Sequence, residues 1–411
     1  MDIWNENNHV YNIRLAKLSG VFQLLNTASI KFLGRNVYHI LMTIIMLFVC
    51  AVAMVLIVSS PYYWSDDILV GVDYGWKGIA ALYLSFKVWN IVYHSDDIWD
   101  CLTVTRYDFT SQSLRNRHIL DHWRERSVWI TNKIAIMYLM ALVFFACNSL
   151  LFCDDISTVK NHDGSVGNYR QNIFNLYLIV TDETYNAHYY TFYFVELFFV
   201  VCLVMLSFVF DFLLATLCLA VSCQLQMIKA SFASVGYKSL SDPHTPIIGN
   251  KDERKNLSNE HDLIYDEIIS IIKDHQAVMK KYYELLIIFK RLMLLQVFYS
   301  SISLIVIWVI FIMIFKTEDK FIASEVTTVK MICAIPTISY QLIIVCYLFD
   351  NLHKQKDSII FALYSSNWTE MNMKCKKLVL LTMKINNANQ KKLKFTRTKI
   401  VNLELFYNVS T

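Results

Sequence analysis

Long unbroken runs of apolar positions dominate the chain. A bilayer's hydrocarbon core, roughly 30 Å thick, needs about 20 apolar residues in a helix, because every backbone amide must be satisfied within the segment. Five stretches meet that cleanly: Val37–Ser59, Val128–Cys153, Tyr190–Val221, Leu292–Phe315 and Val326–Phe349. A sixth, Ile68–Tyr93, has the length but carries Asp73, Lys77 and Lys87, and it is expected to span with Lys87 snorkelling to the interface. The pattern predicts an all-α integral membrane protein with six complete spans, in which residues 37–349 form the bundle.

The polar segments between the runs set the orientation, since excess positive charge stays in the cytosol. Residues 1–36, 94–127, 222–291 and 350–399 together carry thirty Lys and Arg, whereas 60–67, 154–189 and 316–325 carry four. That asymmetry puts the N-terminus in the cytosol. It is the inverse of a G-protein-coupled receptor, and residues 154–189 also lack the cysteine such receptors use for their extracellular disulfide.

Two cytosolic stretches repeat apolar positions at helical spacing. After a polar, turn-rich loop over 241–262, residues Ile264, Ile268, Ile271, His275, Val278, Tyr282, Leu285, Phe289 and Leu292 alternate steps of four and three. This is a seam of period 3.5 running straight into the fifth span. His275 reads as a packed core histidine rather than a ligand or switch. The second stretch carries Trp368, Met371, Cys375, Leu378, Thr382 and Ile385, with Lys374, Lys376, Lys377 and Lys384 between. Such seams can pack together or against a neighbouring subunit, and the second can equally lie on anionic lipid.

Composition agrees with lipid as the solvent. Of 411 residues 55% are hydrophobic and 18% charged, and mean hydropathy is +0.38. Nine glycines and four prolines against fifty Phe and Tyr favour long helices over a Gly-rich barrel. The first thirty-six residues show no apolar core followed by a cleavage site, so no removable signal peptide is expected. Ten cysteines are scattered, mostly within apolar runs, with no metal-ligand spacing. No nucleotide-binding glycine loop, zinc-protease motif or nucleophilic triad is visible, and no catalytic, metal, cofactor or nucleic-acid site is expected. A transporter would show internal repeats and helices broken at the midplane, yet only Pro336 interrupts a span.

Within this frame the chain resembles the insect odorant receptor family. The likeness is sharpest from Ile271 onward: Ile271 to His275 entering the fifth span, Leu294-Leu295-Gln296 within it, then Ser358, Ala362-Leu363-Tyr364 and Trp368 after the sixth. Lys376-Lys377-Leu378 to Met383, and Lys394–Phe406, are similar to the family's last cytosolic helix and the start of its seventh span. The glycine often found near Asp350 is missing. From Ile400 only twelve residues remain, roughly 18 Å of helix, so the seventh span is expected to be incomplete, with 400–411 its start. The rival within sensory receptors is a gustatory receptor, whose diagnostic residues lie in that seventh span.

The resemblance implies a subunit that joins an odorant co-receptor in a cation channel of the plasma membrane of olfactory neurons. It also implies a pore lined by the seventh spans, with Leu403 and Phe406 at the inner mouth, and subunits held together by the cytosolic helices. Ile271, His275, Tyr282, Leu285, Trp368 and Leu378 are the expected anchor residues. A volatile ligand is expected in the outer half of the bundle, among Trp76, Tyr83, Phe145, Asn148, Phe194, Phe198 and Trp308. Each of these aromatics can instead serve helix packing or the interfacial belt. Asp73 and Lys77, one turn apart, either neutralise each other or form a polar wall to the pocket. Glu196 and Asp211 are expected to be capped by polar side chains, and Gly71, Gly75 and Gly78 to permit close helix approach.

The orientation is directly testable. An epitope tag at the N-terminus is expected to be reached by antibody only after cells are permeabilised; labelling of intact cells would remove the odorant-receptor reading.

Overall fold

A computed structural model of the chain describes residues 8–26, 28–32, 34–64, 68–113, 115–160, 165–176, 180–237, 253–316 and 325–388. Among these residues the long helices are α3 (Val37–Trp64), α4 (Ile68–Tyr93), α6 (Arg117–Leu151), α8 (Tyr189–Ser234), α9 (Glu253–Lys316) and α10 (Glu325–Ser365). Short helices α1 (Ile13–Leu18), α2 (Val21–Leu25), α5 (Ser95–Cys101), α7 (Asp182–Ala187) and α11 (Met373–Ala388) fill the ends. Two antiparallel ribbons were not foreseen in the all-α reading. One pairs β1 (Lys31–Phe32) with β2 (Arg35–Asn36), and the other pairs β3 (Ile156–Lys160) with β4 (Val166–Arg170).

Five described helices contain stretches long and apolar enough to cross a membrane: Val37–Pro61, Arg117–Leu151, Tyr189–Ser234, Asp262–Ile312 and Ala334–Ser365. Helix α4 is not among them, but its 26 residues pack along α3. Gly75 and Gly78 allow this approach, because a Cβ at Gly78 would sit 2.7 Å from Ile57 Cγ1 and one at Gly75 would sit 2.9 Å from Ser60 Oγ. The 64 residues of α9 span roughly 96 Å, far more than a bilayer core. Its N-terminal half therefore projects from one end of the bundle, where α5 and α11 pack on it. This end, which carries the expected anchor residues, is termed the anchor end; the β3–β4 ribbon marks the hairpin end.

Helix α8 is the axis of the fold. All twenty residues from Leu206 to Leu225 are buried, so it has no outward face, as expected of a helix that is apolar all round. Its one acidic residue in that run, Asp211, is consequently enclosed. Tyr138 of α6 donates to its Oδ2 at 2.5 Å, Gln296 of α9 donates to Oδ1 at 3.4 Å, and Lys87 Nζ of α4 lies 3.8 Å from Oδ1. Gln341 of α10 donates to the Tyr138 hydroxyl at 2.8 Å. Asp211 is thus capped by side chains, as expected, but Lys87 does not snorkel. It turns inward, buried, with its ammonium 4.0 Å from the Phe210 ring centroid, because the enclosed carboxylate needs a counter-charge more than the lysine needs the interface.

One further expectation changes. The polar loop over 241–262 is helical from Glu253 onward, so α9 starts earlier than the apolar pattern indicates. The period-3.5 seam faces its own chain: Ile268, Ile271, Val278, Tyr282, Leu285, Phe289 and Leu292 are all buried, with Phe289 against Phe210 of α8.

Breaking a buried pair costs about 3–5 kcal/mol, whereas replacing both members costs much less. Lys87→Met and Asp211→Asn are each expected to lower the melting temperature of the purified protein in detergent, and the double variant to regain most of the loss. Losses that simply add would show that the two charges do not interact.

Candidate ligand pocket and anchor groove

The chain after β4 does not stay at the surface. Residues 171–176 fold back into the hairpin end of the bundle as a non-helical plug, and Asn175 takes a left-handed backbone (φ 55°), which asparagine tolerates. Non-helical backbone at this depth must find partners within the protein. The surrounding helices supply them. Glu196 of α8 accepts the N–H groups of Phe174 and Leu176, both at 2.7 Å. The carbonyl of Phe174 accepts from Lys77 at 2.9 Å, that of Asn175 from the Tyr74 hydroxyl at 2.5 Å, and that of Asn172 from Lys330 of α10. Lys77 also bridges to Asp73. Glu196 is therefore capped chiefly by backbone, not by the side chains expected.

Beneath the plug lies a cavity of about 240 Å³. This is smaller than the roughly 300–1,000 Å³ of drug-sized sites, so it suits a small occupant. Trp76 of α4 and Tyr299 of α9 stack inside it, with ring centroids 5.0 Å apart and planes 2° from parallel. Phe145, Phe174 and Phe199 add aromatic wall, and Asp73, Lys77 and Lys330 give the polar edge at the plug.

Of the expected ligand residues, Trp76 and Phe145 line this cavity. Tyr83 stacks on the far side of Tyr299, at 4.7 Å, on the way to the Lys87–Asp211 pair. Asn148 is buried, its Nδ2 without a hydrogen-bond partner among the described residues. Phe194, Phe198 and Trp308 point away from the cavity, 64%, 53% and 49% exposed, which is where lipid-facing side chains belong. Phe174, Phe199, Tyr299 and Lys330 were not anticipated. Phe199 and Tyr299 carried a weak signal as aromatics within spans, and Lys330 a stronger one as a charge in the sixth. Phe174 carried none, since nothing in the hydropathy pattern announces a loop that re-enters the bundle.

At the anchor end, Ile271, Tyr282 and Leu285 are buried within the chain, and Trp368 and Leu378 are half-buried against the core. A groove of about 610 Å³ runs between α9 and α11, lined by Ile272, His275, Met279, Tyr283, Ile287 and Ile385 among others. Ile287 is 77% exposed there. Leu403 and Phe406, the expected pore residues, lie outside the described residues. The described residues hold no cluster of His, Cys, Asp and Glu able to bind a metal.

The 7tm odorant receptor family model matches residues 78–411, and the chain belongs to that family. It is an odorant receptor, a multi-pass membrane protein and not an enzyme. Its fold is similar to that of the insect olfactory receptor OR5 from Machilis hrabei, with TM-score 0.66 at 10% identity, covering 97% of this chain and 94% of that one. The same receptor in complex with eugenol gives 0.65 at 11% identity over the same shares. No curated protein matches the chain significantly.

His275, at the groove, has Nε2 buried without a partner among the described residues. Burial, and then the nearby Lys356 ammonium, push its pKa down from 6.5 to about 4. An unfolded chain takes up the proton near pH 6.5 while the folded one resists it, so the folded state is undisturbed above 6.5 and loses stability as pH falls towards 4. The loss amounts to about 3 kcal/mol. Hydrogen exchange of the α9 and α11 amides is expected to accelerate over that window in the wild type and less in His275→Leu. Identical pH profiles would show that this imidazole is not held neutral.

Proposed function

We propose that this chain is an odorant receptor subunit that binds a volatile molecule in the plugged cavity and gates a cation channel formed with a co-receptor subunit. The observation that carries the reading is the aromatic-lined cavity at the hairpin end, in a chain of the odorant receptor family. In such a pocket affinity rests mainly on apolar area removed from water, roughly 25 cal/mol per Å², which suits small apolar odours. A related fold binding eugenol supports the same class of ligand.

In this reading the N-terminus and the anchor end are cytosolic, on the thirty-to-four charge asymmetry, and the plug faces outward. Helix α4 is the second span, its Lys87 neutralised by Asp211 rather than by water. The segment from 400 onward begins the seventh span, with Leu403 and Phe406 in the pore. The plasma membrane of olfactory sensory neurons is the expected location. The co-receptor docks on the α9–α11 groove around Ile287 rather than on the buried seam.

Cells expressing the chain with a co-receptor are expected to give odour-evoked cation currents that neither subunit gives in the same form alone. Trp76→Ala should raise the half-maximal concentration at least tenfold. Ile287→Asp should weaken co-purification without changing the subunit's own melting temperature. Currents indifferent to Trp76→Ala and to Phe145→Ala for every active odour would move the binding site elsewhere.

A further inference from the structure

The cavity contains an unusual edge for a site that takes volatiles: a buried lysine whose hydrogen-bonding capacity is only partly used by the described residues. An ammonium has three N–H donors. Lys330 spends one on the Asn172 carbonyl, and among the described residues no second acceptor and no ion-pair contact meets it. Its Nζ is buried at the wall of the cavity beside the Trp76–Tyr299 stack.

The charges around it decide what kind of acceptor fits. Four described ionisable groups face this edge: Asp73 and Lys77 of α4, Glu196 of α8 and Lys330 of α10. Lys77 is bridged to Asp73. Both Glu196 oxygens are occupied by plug amides, so Glu196 balances Lys330 through space and not by contact. Two carboxylates thus offset two ammoniums before any ligand arrives. A carboxylate ligand would bring a third negative charge into a cavity with mostly apolar walls, where uncompensated charge is unfavourable. A hydrocarbon would leave the spare Lys330 donors without a partner. A neutral carbonyl oxygen satisfies a donor and leaves the balance unchanged.

We infer that Lys330 is a specificity residue that selects neutral carbonyl compounds, namely small ketones, aldehydes or esters with a flat body, whose oxygen accepts from the Lys330 ammonium while the ring or chain lies along Trp76 and Tyr299. The inference rests on the ligand-binding reading above but not on channel activity.

The test uses the purified full chain in lipid nanodiscs and reads thermal stabilisation against concentration for acetophenone, ethylbenzene and benzoate, three probes of similar size. Acetophenone is expected to act at a concentration at least tenfold below ethylbenzene, a difference of about 1.4 kcal/mol, with benzoate weaker than acetophenone. Lys330→Met should remove the preference for acetophenone, and Lys330→Arg, which keeps a cationic donor, should retain part of it. Equal potency of acetophenone and ethylbenzene in the wild type, a preference that survives Lys330→Met, or benzoate acting best would each overturn the inference. Should Lys330→Met fail to fold, the wild-type ranking of the three probes decides alone. Stabilisation with this ranking but no odour-evoked current would sink the channel reading and leave the Lys330 assignment standing.

Discussion

A carboxylate sealed inside a helix that has no outward face constrains the whole bundle. Asp211 is shut off from water, because Leu206–Leu225 of α8 is covered on every side. Its partners must come from neighbouring helices at its own level, and they do: Lys87 from α4, Tyr138 from α6 and Gln296 from α9, with Gln341 of α10 joined through Tyr138. Apolar contacts between helices in lipid specify register weakly, since lipid tails are as apolar as leucine. Hydrogen bonds to a fixed buried charge specify it well, since a slip of one residue in any partner helix removes that helix's contact with the charge.

The same logic operates at the hairpin end with the roles reversed. There the unsatisfied groups belong to backbone, in the plug 171–176, and the ionisable side chains are the remedy. Glu196 takes two amides, while Lys77 and Lys330 each hold a carbonyl. Charged residues that look out of place in the spans are what lets a loop without regular structure sit within the bundle and roof a cavity.

Hydropathy was enough to read the long helices and their order, because bilayer thickness imposes a length on each span that survives any sequence change preserving apolarity; the family was legible only through the residue motifs from Ile271 onward. The direction in which side chains point was less legible. Lys87 reads as a snorkelling residue until α8 is known to bury Asp211 opposite it. Phe194 and Phe198, one turn apart, share a helix face, but only packing reveals that this face is outward while Phe199 turns in. The 3.5-residue seam of α9 was correctly periodic, yet periodicity does not say whose surface it meets, and Ile271, Tyr282 and Leu285 meet their own chain. The plug was invisible for a different reason: residues 171–176 become buried only through long-range bonds to Tyr74, Lys77, Glu196 and Lys330, and no local pattern encodes those.

The two polar layers also explain where the pocket lies. Along α4, Asp73 and Lys87 are fourteen residues apart, roughly 21 Å, and they belong to the upper and lower layers respectively. Between them the facing side chains are aromatic: Trp76 and Tyr83 on α4, both stacked on Tyr299 of α9. The lower layer is internally paired and the upper one is tied to the plug backbone, so both are costly to disturb, while the layer between is held by ring contacts and apolar packing. A small molecule can enter only where existing contacts are replaceable by its own, and exchanging one apolar neighbour for another is the least costly exchange the bundle offers. The cavity sits in that middle layer and touches the polar one only at its upper edge, through Asp73, Lys77 and Lys330. On the proposed reading, binding energy from area and selectivity from hydrogen bonding fall at different levels of the same bundle.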